Sequence, residues 1–247
     1  MDRIAYETFA RLENDHFWFV GRRRIFGEML DRIVGSRTDL AILEIGCGTG
    51  GLLSTLEAHG RVHGCDIDFE SMRFCRERGF ERMLVGSGYE LPYLDESFDL
   101  VGMFDTIEHI PDEHRALSEA HRVLKPGGTL FLSVPAYQFL WSQNDRVAHH
   151  CRRYTAMRLK KVVRAAGFRP LKTSYFNTLL FPLIVPAIFW QKVRDRLGLL
   201  PEGYNNTSVP LSRPLNALLC AVMSSERHLL SRMSFPFGHS LISLSRK

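Results

Sequence analysis

The chain has 247 residues, of which 24% are charged and 45% hydrophobic, and a formal net charge of +5. This excludes a disordered chain and a miniprotein that needs disulfide staples, and the charge is too small to claim nucleic acid as a partner. Cys47, Cys65, Cys75, Cys151 and Cys220 are scattered, odd in number and form no CxxC pair, so free thiols and a cytoplasmic setting are expected.

The N-terminal stretch "MDRIAYETFARLEND" has no apolar signal-peptide core, and residues 1–39 read as a helical extension. Within it, "ENDHFWFVGRRRIF" is dense in aromatic and basic residues. From Leu40 the pattern alternates. "LAILEI" reads as a strand, then a glycine turn and a helix through "LLSTLEAHG"; "RVHGCDI" is a second strand with a helix through "FESMRFCRERG". "RMLVG" and "SFDLVGMF" are the third and fourth strands, followed by the helix "DEHRALSEAHRVL". "GTLFLSVP" is the fifth, with "TAMRLKKVVRAAG" the next helix. Strands alternating with helices predict a parallel sheet covered on both faces, and right-handed crossovers make it a doubly wound, Rossmann-like α/β fold. We expect a single domain: an extension over 1–39, a cofactor-binding core over 40–172, and acceptor-side helices with a last strand over 173–247. The two late helical segments are "LLFPLIVPAIFWQKVRDRL" and "LNALLCAVMSSERHLLSRM", and "SLISLSR" is the last strand.

The chemistry starts at "LEIGCGTGG". Gly46, Gly48 and Gly50 follow a strand and open a helix, where glycine lets the backbone approach a ligand closely. Asp66 stands about twenty residues on, at a strand end, where an acid receives both hydroxyls of a ribose. A dinucleotide would bring a pyrophosphate to this loop, and S-adenosylmethionine a zwitterionic tail. Glu44 would repel the first and orient the amino group of the second.

With these residues the sequence resembles the class I S-adenosylmethionine-dependent methyltransferases, in particular the group containing the ubiquinone-biosynthesis enzymes. "LEIGCGTGG", "GCDID", "VGSGYELPYLDESFDLV" and "LKPGGTLFLSVP" are similar to that family's ordered motifs over roughly Leu40 to Phe168. The resemblance implies a seven-stranded sheet with an antiparallel last strand, a helical insertion before it, and S-adenosyl-L-methionine as cofactor. It implies that Gly46, Cys47, Gly48 and Gly50 face the methionine and ribose, that Asp66 binds the ribose hydroxyls and that Ile67 lies against adenine. Where the family often has an Asp at the adenine amino group this chain has Ser87, beside Gly88, with Tyr89 available for stacking. Phe104 and Asp105 would lie beside the transferable methyl. The N-terminal helices often form a lid, for which His16 and Trp18 are candidates.

Asp105, Glu108 and His109 in "MFDTIEHIPD" would share one face if this turn is helical, a spacing that suits a divalent metal. A similar set is reported in metal-using quinone O-methyltransferases. The expectation here is that no metal is held and that His109 lines the cofactor pocket. After the fifth strand, "AYQFLWSQNDRVAHHCRRYT" supplies Tyr137, Trp141, Asp145, His149 and His150 in one loop at the edge where such folds bind ligands. His150 is the expected general base, with His109 and Tyr137 beside it. The expected reaction is O- or N-methylation of a small molecule, apolar or lipid-linked, with no nucleic acid partner. The apolar run Leu179–Trp190, followed by Lys192, Arg194 and Arg196, leaves a peripheral membrane contact or a homodimer face open. Two rivals remain at this point: an NAD(P)-dependent oxidoreductase using the same loop, and a non-catalytic S-adenosylmethionine-binding module.

Overall fold

The computed structural model describes residues 3–201 and 210–247. Two helices come first, α1 (Arg3–Asp15) and α2 (Phe17–Val34). There follow β1 (Leu40–Ile45), α3 (Leu53–Glu57), β2 (Gly60–Asp66), α4 (Phe69–Glu77), β3 (Met83–Val85) and β4 (Phe98–Phe104). Next are α5 (Glu113–Val123), β5 (Leu124–Pro135), the short α6 (Gln143–Val147), α7 (Ala156–Ala165) and β6 (Arg169–Phe176). The described chain closes with α8 (Phe181–Arg196), α9 (Arg213–Leu230) and β7 (Ser240–Arg246).

Seven strands form one sheet in the order β3-β2-β1-β4-β5-β7-β6. β7 runs antiparallel to both β5 and β6, and the other pairings are parallel. The expected seven-stranded sheet with an antiparallel last strand is therefore present. β1 and the second half of β5, from Leu130, are largely apolar because both of their faces are covered. Successive side chains divide between the two faces. Leu43, Val101 and Leu130 pack with Ala116, Leu117 and Ala120 of α5 and with Leu159 and Val163 of α7. Ile42, Leu100 and Phe131 pack with Ile25, Phe26 and Leu30 of α2 and with Met223 of α9. α2 lies along α9 so closely that a Cβ at Gly21 would fall 2.9 Å from Met223 Sδ.

One strand departs from the sequence reading. β6 begins at Arg169 and crosses the position, Thr173, at which a helical C-terminal part was expected to start. Its first half carries Arg169, Pro170 and Lys172 at the open edge of the sheet, so no apolar run announces it. Among the described residues, no helix is long and apolar enough to cross a membrane.

Candidate active site

The glycine turn joins β1 to α3. Gly46 has φ +71°, and a Cβ there would lie 2.4 Å from Thr106 Cγ2, so only glycine fits. Thr106 Oγ1 donates to Ile45 O at 3.2 Å, which ties the turn after β4 to the end of β1. A Cβ at Gly48 would meet nothing within 4 Å, so bare backbone faces open space. Gly50 also has positive φ. The Cys47 thiol is buried beneath Gly64, against Cys75, so its side chain belongs to the floor of the loop.

Asp66 stands at the end of β2. Its Oδ2 accepts from the Gly48 N–H at 2.8 Å and its Oδ1 from the Asp68 N–H at 3.0 Å. Each oxygen keeps a lone pair for a further donor, as two ribose hydroxyls require. Burial pushes this carboxyl above its ordinary value. Ile67, immediately after it, is 76% exposed and offers a bare apolar surface of the kind an adenine ring covers. Ser87 and Gly88 lie past β3, where Ser87 Oγ accepts from the Tyr89 N–H at 3.2 Å. The Tyr89 ring already has the Arg115 guanidinium 5.0 Å from its centroid, and its hydroxyl accepts from the Asp112 N–H.

Glu44 is the most telling residue of the floor. It is 3% exposed and its Oε2 has no partner. Burial pushes its pKa well up. A buried carboxylate oxygen without a donor is a standing cost that an ammonium group removes. The loop, Glu44, Asp66 and Ile67 together fit S-adenosylmethionine: amino tail, ribose and adenine each meet a group of matching chemistry.

α1 and α2 are bound to this floor by polar contacts. The Glu13 carboxylate accepts from Thr49 Oγ1 at 2.6 Å and from Arg78 Nη2 at 2.8 Å. A Cβ at Gly51 would strike it at 2.5 Å. Arg22 pairs with Asp105, whose other oxygen accepts from Ser133 Oγ at 3.2 Å. His16 caps α2 by accepting from the Trp18 N–H, and Trp18 stacks on Phe176. The arginine of α2 nearest the site is thus inside it, and its Nε has no partner. Neither Glu13 nor Arg22 carried a functional signal in the sequence, because their partners are remote along the chain. Glu13→Ala is expected to weaken S-adenosylhomocysteine binding about tenfold by calorimetry, through loss of charged hydrogen bonds, and to speed amide exchange in α1 while the sheet stays protected.

The turn after β4 corrects two expectations. The Phe104 ring does not point at the site; it packs in the core against Phe26 and Phe131 at centroid distances of 5.1 Å. Asp105, Glu108 and His109 do not share a helical face either. Asp105 has φ +50° and leaves the strand toward Arg22, and only Ile107–His109 form a 3₁₀ turn. Among the described residues, the side chains that could hold a metal ion are Glu108, His109 and His150, with ligand atoms within 4.8 Å of one another. Arg22 and Arg153 both act electrostatically on Glu108, which opposes a dication there.

Glu108 is fully buried and both of its oxygens lack partners. Burial raises its pKa to about 8. His109 is driven down to about 4 by burial and by the like charge of His150, so it is neutral near pH 7. The His109 and His150 rings meet edge to face at 4.6 Å. His150 Nδ1 lies 2.8 Å from Asp145 Oδ1, and Asp145 is fully buried. Tyr137 has φ +59° and stacks on Tyr175 at 5.0 Å. Burial and the Tyr175 contact push its phenol above the ordinary range. The structure thus brings His109 and His150 together, while Tyr137 sits in an aromatic group with Tyr175, Phe139 and Phe181.

Glu108 predicts a pH dependence. Unfolded, it ionises near 4.5; folded, it keeps its proton to about 8. Over that window the folded state holds the extra proton, so this contribution to stability is lost as pH rises. Glu108→Gln is expected to raise the melting temperature at pH 8 by about 4–8 °C, or ~2 kcal/mol, and to flatten the slope between the two pH values. Thermal melts across the range check it.

Residues 43–132 match the family described as "Methyltransferase domain". A probable S-adenosylmethionine-dependent methyltransferase of Mycolicibacterium smegmatis is 31% identical over 166 residues, covering 65% of this chain and 63% of that protein. A probable tRNA methyltransferase 9B of Homo sapiens is 34% identical over 113 residues, 44% of this chain and 23% of that protein. The chain therefore spans less than two thirds of the length of these curated relatives. A solved S-adenosylmethionine-dependent methyltransferase of Thermotoga maritima shares the fold with a TM-score of 0.56 at 20% identity, covering 98% of this chain and 99% of that one. Matching motifs and sheet order lead to one conclusion: residues 43–132 carry the pattern of a methyltransferase domain, and the chain is similar in sequence and fold to S-adenosylmethionine-dependent methyltransferases.

Proposed function

We propose that this protein methylates an oxygen or nitrogen of a small apolar acceptor, with His150 receiving the acceptor's proton. The observation that carries the cofactor half is Glu44: a buried carboxyl at the end of β1, with Oε2 unpartnered, favours an ammonium and opposes a pyrophosphate. When bound, S-adenosylmethionine supplies a methyl group already activated on a sulfonium. What the chain adds is position and a proton acceptor. Arg22 pairs with Asp105 after β4, and His150 is grouped with Glu108 and His109. Tyr137, with its phenol kept protonated, gives the acceptor side an aromatic wall shared with Tyr175 and Phe181. This wall supports an apolar acceptor. The match to a tRNA-modifying relative extends over 44% of this chain and does not identify an acceptor here.

The test has two arms. Titration with S-adenosylhomocysteine and with NAD separates this reading from an oxidoreductase: the first should bind and the second should not. Incubation with methyl-labelled S-adenosylmethionine and a panel of phenols, quinols and amines separates it from a module that only binds. Label in none of them, with S-adenosylhomocysteine bound, would favour the module.

The outer side of α8 supports a peripheral membrane contact as part of the same reading. Leu183, Phe189, Trp190 and Val193 are exposed there, and Lys192, Arg194 and Arg196 follow on the same helix. Co-sedimentation with vesicles containing phosphatidylserine is expected to fall with rising salt, and Trp190→Glu should abolish it. Failure of the wild type to sediment at low salt would remove the membrane contact.

A further inference from the structure

Asp145 entered the sequence reading only as a polar member of the loop after β5. The structure gives it a larger place. Its carboxylate is fully buried and receives five donors from three directions. Oδ2 accepts from the Ser142 N–H at 2.8 Å, from Ser142 Oγ at 3.4 Å and from Arg153 Nη2 at 3.0 Å. Oδ1 accepts from Arg153 Nε at 2.7 Å and faces His150 Nδ1 at 2.8 Å. The Ser142 contacts form a capping box that starts α6, and the His150 N–H donates to the Asp145 carbonyl at 2.9 Å. Backbone and side chain are thus both fixed relative to the histidine. Burial alone would raise the Asp145 pKa, but hydrogen bonds from His150 and Arg153 outweigh it and hold the carboxyl well below the ordinary range.

An ionised carboxylate only accepts hydrogen bonds. The group it meets on His150 must therefore be an N–H, which leaves the proton of the neutral ring on Nδ1 and a lone pair on Nε2. The bidentate grip of Arg153 stops the carboxylate from turning away. We propose that Asp145 is the positioning residue of the acceptor site: it fixes the Nδ1–H tautomer of His150 and stabilises the imidazolium formed when His150 takes the acceptor's proton. The proposal rests on the methyl-transfer reading for the second half of that role, and on geometry alone for the first. In the balanced step, the acceptor's oxygen or nitrogen forms its bond to the methyl carbon as the carbon–sulfur bond breaks. The electron pair of that bond stays on sulfur, and the acceptor's proton moves to His150 Nε2. Asp145 accepts no proton. It touches no substrate and acts through the ring.

The tautomer can be read directly. In uniformly 15N-labelled protein, long-range proton–nitrogen spectra distinguish a protonated Nδ1 from a protonated Nε2, and His150→Ala identifies the signal. The wild type bound to S-adenosylhomocysteine is expected to show the neutral His150 ring with Nδ1 protonated. Asp145→Asn keeps the shape but not both Arg153 contacts, because an NH2 group offered to the ring also faces the Arg153 Nε–H. Its His150 is expected to gain the Nε2–H form, and Asp145→Ala, which removes the acceptor altogether, is expected to convert it. With a productive acceptor from the labelled-methyl panel, kcat should fall about 10²-fold or more, with the acceptor KM and S-adenosylhomocysteine affinity unchanged. Asp145→Glu should recover part of the loss. A wild-type His150 protonated on Nε2 overturns the proposal without need of any variant, which covers the case of Asp145→Asn failing to fold. An unchanged tautomer in Asp145→Ala overturns it as well. If the tautomer converts but turnover survives in both Asp145→Asn and His150→Ala, the proton-transfer reading of His150 falls, and the tautomer result shows which half failed.

Discussion

Replacing His150 by alanine is expected to lower kcat about 10²–10⁴-fold, the usual share of a positioned base, while S-adenosylhomocysteine binds as before. The site explains both parts. In the proposed reading His150 serves the acceptor; it is held by Asp145 and lies edge-on to His109, and its polar and ring partners among the described residues include neither the glycine turn nor Asp66. Its neighbour His109 is neutral near pH 7, because burial holds its pKa at about 4, and it cannot take over by carrying charge. Rate loss without change in cofactor affinity is the signature of a group used in the transition state. Calorimetry with S-adenosylhomocysteine and single-turnover methyl transfer measure the two quantities separately. Weakened binding in His150→Ala would mean that the loop supports the cofactor floor instead.

Asp66→Ala should act the other way round, on binding first. Its two oxygens serve the protein through Gly48 and Asp68 and retain lone pairs toward the site. Two lost charge-assisted hydrogen bonds correspond to a weakening of S-adenosylhomocysteine affinity on the order of 10²-fold or more. Asp66→Asn keeps one acceptor oxygen and should lose about tenfold. Circular dichroism should change little, since β2 remains paired with β1 and β3. Equal affinities in wild type and Asp66→Ala would remove this residue from the cofactor site.

The central strands were legible because burial on both faces demands unbroken apolar runs such as "LAILEI". The glycine turn was legible because positive φ at Gly46, Gly48 and Gly50 leaves few other choices of residue. β6 was hidden because an edge strand with Arg169 and Lys172 has no such demand on it. The polar machinery was hidden for a different reason. Glu13 meets Thr49, Arg22 meets Asp105 and Glu108 meets His150 only through tertiary structure. Local periodicity cannot report such pairs, and it misled at Asp105, where a positive φ breaks the helical face that the spacing suggested. Phe104 turns its ring into the core for a simpler reason: along β4 it shares a face with Leu100, which packs in the same cluster as Phe26 and Phe131.

The place of β7 bears on how the molecule assembles. β6 lies at the sheet edge and, among the described residues, its strand neighbour is β7, which follows two helices later in the chain. The strands from β1 to β5 can pair as they form, whereas β6 must wait for a partner across a long loop, and closing such loops costs chain entropy. Tyr175 and Phe176 belong to β6, so the aromatic wall and the platform beneath Trp18 consolidate last. In refolding, competence to bind S-adenosylhomocysteine should therefore precede completion of the aromatic group at Tyr137 and Tyr175, and lesions in β7 should harm that group before they harm the glycine turn and Asp66.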